Sequence, residues 1–117
     1  MNLLSALFGS PLPSVNAADL SEKLKNGKRS LVVDVRQPEE YTDGHIAGSK
    51  LIPLGELNKR VNELPKDREI ICVCASGSRS QSATKFLVDA GYNAFNMQGG
   101  MFMWQRAKLP IKKGNAS

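Results

Sequence analysis

The sequence is short of the residues from which metal centres and disulfide frameworks are built: it has two cysteines and one histidine in 117 residues. These are too few to close a structural zinc site, and no metal or other cofactor is expected. Cys72 and Cys74 lie two apart in one apolar run, a spacing that does not favour disulfide geometry. Free thiols suit a reducing compartment, so the cytoplasm is the expected location. Aromatic residues make up 6% of the chain, and no basic run is interleaved with them, which argues against nucleic acid as a partner. No apolar run is long enough to span a membrane. Met1 to Phe8 is apolar but short and has no basic residue before it, so it reads neither as a span nor as a secretory leader. No membrane partner is expected. No internal repeat, low-complexity tract or dividing linker occurs.

What is present fits one small domain. Residues 1–13 read as a lead segment that is frayed or packed on the surface. Residues 14–110 read as the domain, and residues 111–117 as a basic tail that frays. The net charge is +5, from 16 Lys and Arg against 11 Asp and Glu, with Lys108, Lys112 and Lys113 near the end. A modest basic balance suits a small anionic substrate or an acidic partner. A monomer or weak dimer is expected.

Two apolar, β-branched runs, Leu31 to Val35 and Glu69 to Val73, read as buried strands. Asn93 to Met97 reads as another strand, and Ser14-Val15 and Leu51-Ile52 as short ones. Helical spacing marks a segment from Asn16 to Lys25, with Asn16 as its cap, and a turn of helix from Pro38 to Gly44. Further helices are expected over Leu54–Leu64, Ser80–Ala90 and Met101–Lys108. Strands alternating with helices argue for an α/β fold with a mainly parallel sheet.

The organising stretch is Cys74-Ala75-Ser76-Gly77-Ser78-Arg79-Ser80. Cys74 sits where a strand ends, and small residues lead into a helix N-terminus. Backbone N–H groups converge there and the helix dipole favours negative charge. A thiolate is the negative charge on offer, so Cys74 reads as a nucleophile of lowered pKa. Arg79 follows five residues later. Phosphatase and arsenate reductase loops place their Arg one residue further on and make a wider cradle; the shorter loop suits a smaller target, such as the outer sulfur of a persulfide.

This stretch resembles the active-site loop of rhodanese-like sulfurtransferases. Asp34-Val35-Arg36, Glu40-Tyr41, Gly44-His45-Ile46, Gly48 and Ile52-Pro53 look like the family's first signature, and Gly99-Gly100 to Trp104 like its second. The resemblance runs from about Val15 to Pro110. It implies a rhodanese-like sheet of about five strands flanked by helices on both faces, with Cys74 as the catalytic cysteine. It implies that Cys74 takes a sulfane sulfur from thiosulfate or a similar small anionic donor. The resulting persulfide passes that sulfur to cyanide, a thiol or a protein acceptor. The main-chain N–H groups of Ala75, Ser76, Gly77, Ser78, Arg79 and Ser80 are expected to cradle the persulfide. The chain has Ser49 and Leu51 where the family often has Ala and Asn. It carries one cation in the loop, where members specialised for thiosulfate often carry more.

Supporting roles fall to other residues. Arg79 either binds the donor or ties the loop to a carboxylate from another strand end. Arg36 and Glu40 read as a structural pair bracing the first signature. Asp34, at a strand end, is expected to accept hydrogen bonds from loop N–H groups. His45 reads as a structural loop residue rather than half of a Cys–His pair, and Cys72 as core. Phe102 and Trp104 read as packing. The leading function is a single-domain sulfurtransferase. The alternative is a rhodanese-like sulfur carrier or docking module with little turnover.

Overall fold

A computed structural model describes residues 11–27 and 30–117. Residues 1–10 of the lead segment, together with Lys28 and Arg29, lie outside the described residues. Strands β1 (Ser14–Val15), β2 (Leu31–Asp34), β3 (Lys50–Leu51), β4 (Ile70–Val73) and β5 (Ala94–Met97) form one sheet in the order β1-β5-β4-β2-β3. Every pairing in it is parallel. β4 is central, with Ile70 opposite Leu31 on one side and Ala94 on the other.

Its residues alternate between two cores, as the period of a strand requires. Ile70 and Cys72 join Val33, Leu57, Ala83 and Leu87, while Ile71 and Val73 join Leu20, Met97, Met101 and Trp104. Helices therefore cover both faces of the sheet: α3 (Leu57–Arg60) and α4 (Ser78–Asp89) on one, α1 (Ala17–Lys25) and α5 (Gly100–Arg106) on the other. Continuous apolar runs in β2 and β4 follow from this double burial. No helix among the described residues is long and apolar enough to cross a membrane.

The caps follow the residues. Asn16 accepts the Asp19 N–H at 2.8 Å and starts α1. Pro38 opens α2 (Pro38–Asp43), and the Glu40 carboxylate accepts the Gln37 N–H at 3.0 Å. The continuous helix expected over Leu54–Leu64 is instead a 3₁₀ turn (Leu54–Glu56), α3 and a second 3₁₀ turn (Val61–Glu63). Pro65 has no N–H to reach the Val61 carbonyl in helical register. That carbonyl accepts from Leu64 N–H and from the Tyr92 hydroxyl, each at 3.0 Å.

The tail is hydrogen-bonded to the rest of the chain. Lys112 and His45 exchange backbone hydrogen bonds at 2.8 and 2.9 Å, and the Gly114 N–H reaches the Thr42 carbonyl at 2.9 Å. The chain end supplies partners for main-chain groups left free where α2 stops, while its side chains stay largely exposed.

Candidate active site

Cys74 is the first residue after β4, and α4 begins four residues later with Gly77 as its cap at φ 109°. The sulfur lies beneath this helix start. It accepts the Gly77 N–H at 3.0 Å and stands 3.3 Å from the Ser80 hydroxyl. Burial pushes the thiol up, but the Ser80 hydroxyl and the N–H groups of Ser80, Gly77 and Ser76 outweigh it and bring the thiol below its ordinary value. The side chain is wholly covered, at 0% exposure.

Of the expected cradle, the N–H groups of Ser76, Gly77 and Ser80 act on the sulfur, while the carbonyls of Cys74 and Ala75 face outward. The outward carbonyls have partners at the start of α5: Met101 N–H donates to Cys74 O at 2.8 Å and Phe102 N–H to Ala75 O at 3.0 Å. This junction requires glycine at position 100. Its φ is +56°, and a Cβ there would lie 2.3 Å from Cys74 O and 2.6 Å from the Ala75 carbonyl carbon. The Gly99-Gly100 pair thus holds α5 against the Cys74 loop.

Arg79 forms a two-pronged ion pair with Glu40, Nη1–Oε1 at 2.7 Å and Nη2–Oε2 at 2.9 Å. Its partner is thus a carboxylate on α2 and not one at a strand end. Hydrogen bonding from Arg79 is the main cause that holds the Glu40 carboxyl at about 2, below an ordinary 4.5. The expected Arg36–Glu40 pair does not form. Arg36 instead grips Asp34, Nη2–Oδ2 at 2.7 Å, and donates to the Gly44 carbonyl at 2.8 Å. Asp34 also accepts the Arg36 N–H at 3.1 Å, as its place at the strand end suggests. This pair is buried and braces the loop that carries His45.

His45 lies far from a Cys–His arrangement. Its ring stacks on Tyr41 at 3.7 Å, with Nδ1 and Nε2 each 2.8 Å from a carbonyl, those of Tyr41 and Ala116. Cys72 is wholly buried, and burial pushes its thiol up to about 11, which suits a core residue. Trp104 is buried, with its indole N–H on the Pro110 carbonyl at 2.8 Å. Phe102, expected to pack, is 63% exposed. Among the described residues, no group of three His, Cys, Asp or Glu side chains stands where it could hold a metal ion.

Two elements of the site escaped the sequence reading. One is the α5 start, whose amides hold the loop carbonyls. The other is Asn96, on β5, whose carboxamide oxygen is 2.5 Å from the Ser80 hydroxyl. The available signal was a polar residue in the middle of a strand flanked by apolar neighbours.

The family described as the Rhodanese-like domain matches residues 16–107. A sulfurtransferase of Allochromatium vinosum is 36% identical over 98 residues, covering 83% of this chain and 92% of the relative. A thiosulfate sulfurtransferase of Pseudoalteromonas translucida is 35% identical over 78 residues, 66% of this chain and 74% of its own. A solved rhodanese-related protein from Thermoplasma volcanium superposes with a TM-score of 0.81 at 38% identity, covering 86% of this chain and 97% of its own. With the five-stranded parallel sheet and the strand–loop–helix around Cys74 already in view, the chain belongs to the rhodanese-like domain family.

Proposed function

We propose that this protein transfers sulfane sulfur through a persulfide on Cys74. The observation that carries the reading is the sulfur's setting, 3.0 Å from the Gly77 N–H at the start of α4, with further N–H groups from Ser76 and Ser80 favouring the thiolate. In the first half-reaction the thiolate attacks the outer sulfur of thiosulfate or a similar donor. The S–S bond of the donor breaks, sulfite leaves with the electron pair, and Cys74 gains one sulfur. In the second, cyanide or another thiophile attacks that outer sulfur, and the electron pair of the breaking S–S bond returns to Cys74. No outside oxidant or reductant is needed.

The inward N–H groups offset the negative charge on sulfur in each state. The resting thiol is covered, so an acceptor meets the outer sulfur of the persulfide, which lies one S–S bond, about 2.05 Å, beyond Sγ. Arg79 is engaged with Glu40 across both prongs, which supports a loop that works through its main chain. It also counts against phosphate-ester chemistry, in which that guanidinium would hold the oxyanion.

The test is intact-protein mass after thiosulfate, followed by cyanide. The expected result is a gain of one sulfur that cyanide removes, absent in Cys74→Ser and kept in Cys72→Ser. Persistent absence of added sulfur, with polysulfide and cysteine-desulfurase donors as well, would overturn the reading.

A further inference from the structure

The single hydroxyl proton of Ser80 has three neighbours that can accept it. Ser80 Oγ lies 3.3 Å from Cys74 Sγ, 3.1 Å from the Gly77 carbonyl and 2.5 Å from Asn96 Oδ1. Ser80 and Cys74 are wholly buried and Asn96 is 4% exposed, so water does not supply substitutes freely. A carboxamide oxygen only accepts. At this separation Ser80 therefore donates to Asn96 and turns a lone pair toward the sulfur. That lone pair suits a thiol S–H; the Ser80 hydroxyl favours the thiolate only when its proton turns from Asn96 to the sulfur.

We propose that Asn96 is a positioning residue whose carboxamide sets the direction of the Ser80 hydrogen bond and so selects between the thiol and thiolate forms of Cys74. This deepens the reading of Cys74 as the nucleophile and rests on it. In the thiol form the chain runs from Cys74 S–H to Ser80 Oγ and from Ser80 O–H to Asn96 Oδ1. When the thiol proton leaves to solvent, Ser80 keeps its own proton and swings it to the sulfur. The Asn96 carboxamide turns over and offers Nδ2–H to Ser80 Oγ. Both forms then pair a donor with an acceptor at each link, and the only proton lost is that of the thiol. Asparagine can serve both forms because it carries a donor and an acceptor on one planar group; aspartate cannot.

The surroundings favour such a turn. Asn96 lines a cavity of about 230 Å³ with Pro11, Leu12, Ser14, Gln81 and Gln98. Its wall carries two carboxamides and a hydroxyl, those of Gln81, Gln98 and Ser14. Cys72 and Arg79 each feel the charge on Cys74. Cys72 is pushed up to about 11 by burial and Arg79 is held charged by Glu40, so neither changes state where Cys74 ionises.

The experiment is the rate of iodoacetamide alkylation at Cys74 against pH, read by tandem mass spectrometry on full-length protein. Asn96→Asp should raise the midpoint by at least about one pH unit, about tenfold slower alkylation at pH below the midpoint. An unchanged midpoint in a folded Asn96→Asp protein overturns the proposal. Should that variant fail to fold, a cycle of Asn96→Leu, Ser80→Ala and both together decides. If Asn96 acts through Ser80, the double variant titrates like Ser80→Ala alone; additive shifts overturn the proposal. Alkylation needs no sulfur donor, so failure of sulfur transfer and failure of this relay are separate results.

Discussion

Replacing Gly100 by alanine tests whether the outward carbonyls of the Cys74 loop hold its N–H groups on the sulfur. The new Cβ would lie 2.3 Å from Cys74 O and 2.6 Å from the Ala75 carbonyl carbon, so α5 or the loop must move. The movement breaks or stretches the bonds from Met101 N–H at 2.8 Å and Phe102 N–H at 3.0 Å. Each is worth about 1 kcal/mol, and alanine in the left-handed region costs about 1 kcal/mol more. The expected loss is therefore about 3 kcal/mol, a large part of the stability of a small domain. Gly48→Ala is the control: φ is +83° there, but nothing lies within 4 Å of the added carbon. It should lose only the conformational part, about 1 kcal/mol. Urea unfolding of the two variants measures the difference, and alkylation of Cys74 reads the loop directly. A Gly100→Ala protein no less stable than the control, with Cys74 reacting at the parent rate, would refute the reasoning.

Three further outcomes are expected. Ser49 Oγ is the one buried side-chain polar atom among the described residues with no hydrogen-bond partner, so Ser49→Ala should stabilise the fold by about 1 kcal/mol; a lower melting temperature would count against that. The Glu40 carboxyl is depressed to about 2 in the folded chain, so its pairing with Arg79 stabilises fully above about 4.5 and is lost as pH falls toward 2. Both side chains are about a third exposed, at 34%, which limits the effect to about 1 kcal/mol; urea midpoints of Glu40→Gln should lack this part of the acid slope. Deleting residues 111–117 removes the His45–Lys112 exchange and the Gly114–Thr42 bond, for an expected loss of about 2–3 kcal/mol. An unchanged urea midpoint would show that the hydrogen-bonded tail contributes nothing.

The parts legible in the sequence were those governed by local pattern. The double burial of β2 and β4, the Asn16 cap and the strand–loop–helix around Cys74 each follow from residues close together in the chain. Partner choice across elements was not legible. Arg36 and Glu40 are four apart and of opposite charge, which makes a local pair attractive, yet each finds a better-aligned fork elsewhere, on Asp34 and on Arg79. The tail's charge and glycine read as solvated, because its partners, His45 and Thr42, are main-chain groups distant in sequence. Asn96 was hidden for the same reason: its meaning depends on Ser80, which a separate helix brings to it. The exposure of Phe102 was recoverable, since helical spacing that turns Met101 and Trp104 inward leaves the two residues between them, Phe102 and Met103, facing out.

The order of the strands also bears on association and on which part of the chain unfolds last. Both outer strands, β1 and β3, are only two residues long. They give another chain almost no ladder to extend, which protects a concentrated or refolding sample from edge-to-edge aggregation. Three of the four residues of β4, Ile70, Ile71 and Cys72, have partners in the neighbouring strands on both sides. Their amide protons should therefore be among the slowest to exchange, opening only when the whole sheet does. Cys74 follows that strand directly, so its main chain is tied to the part of the sheet that opens last.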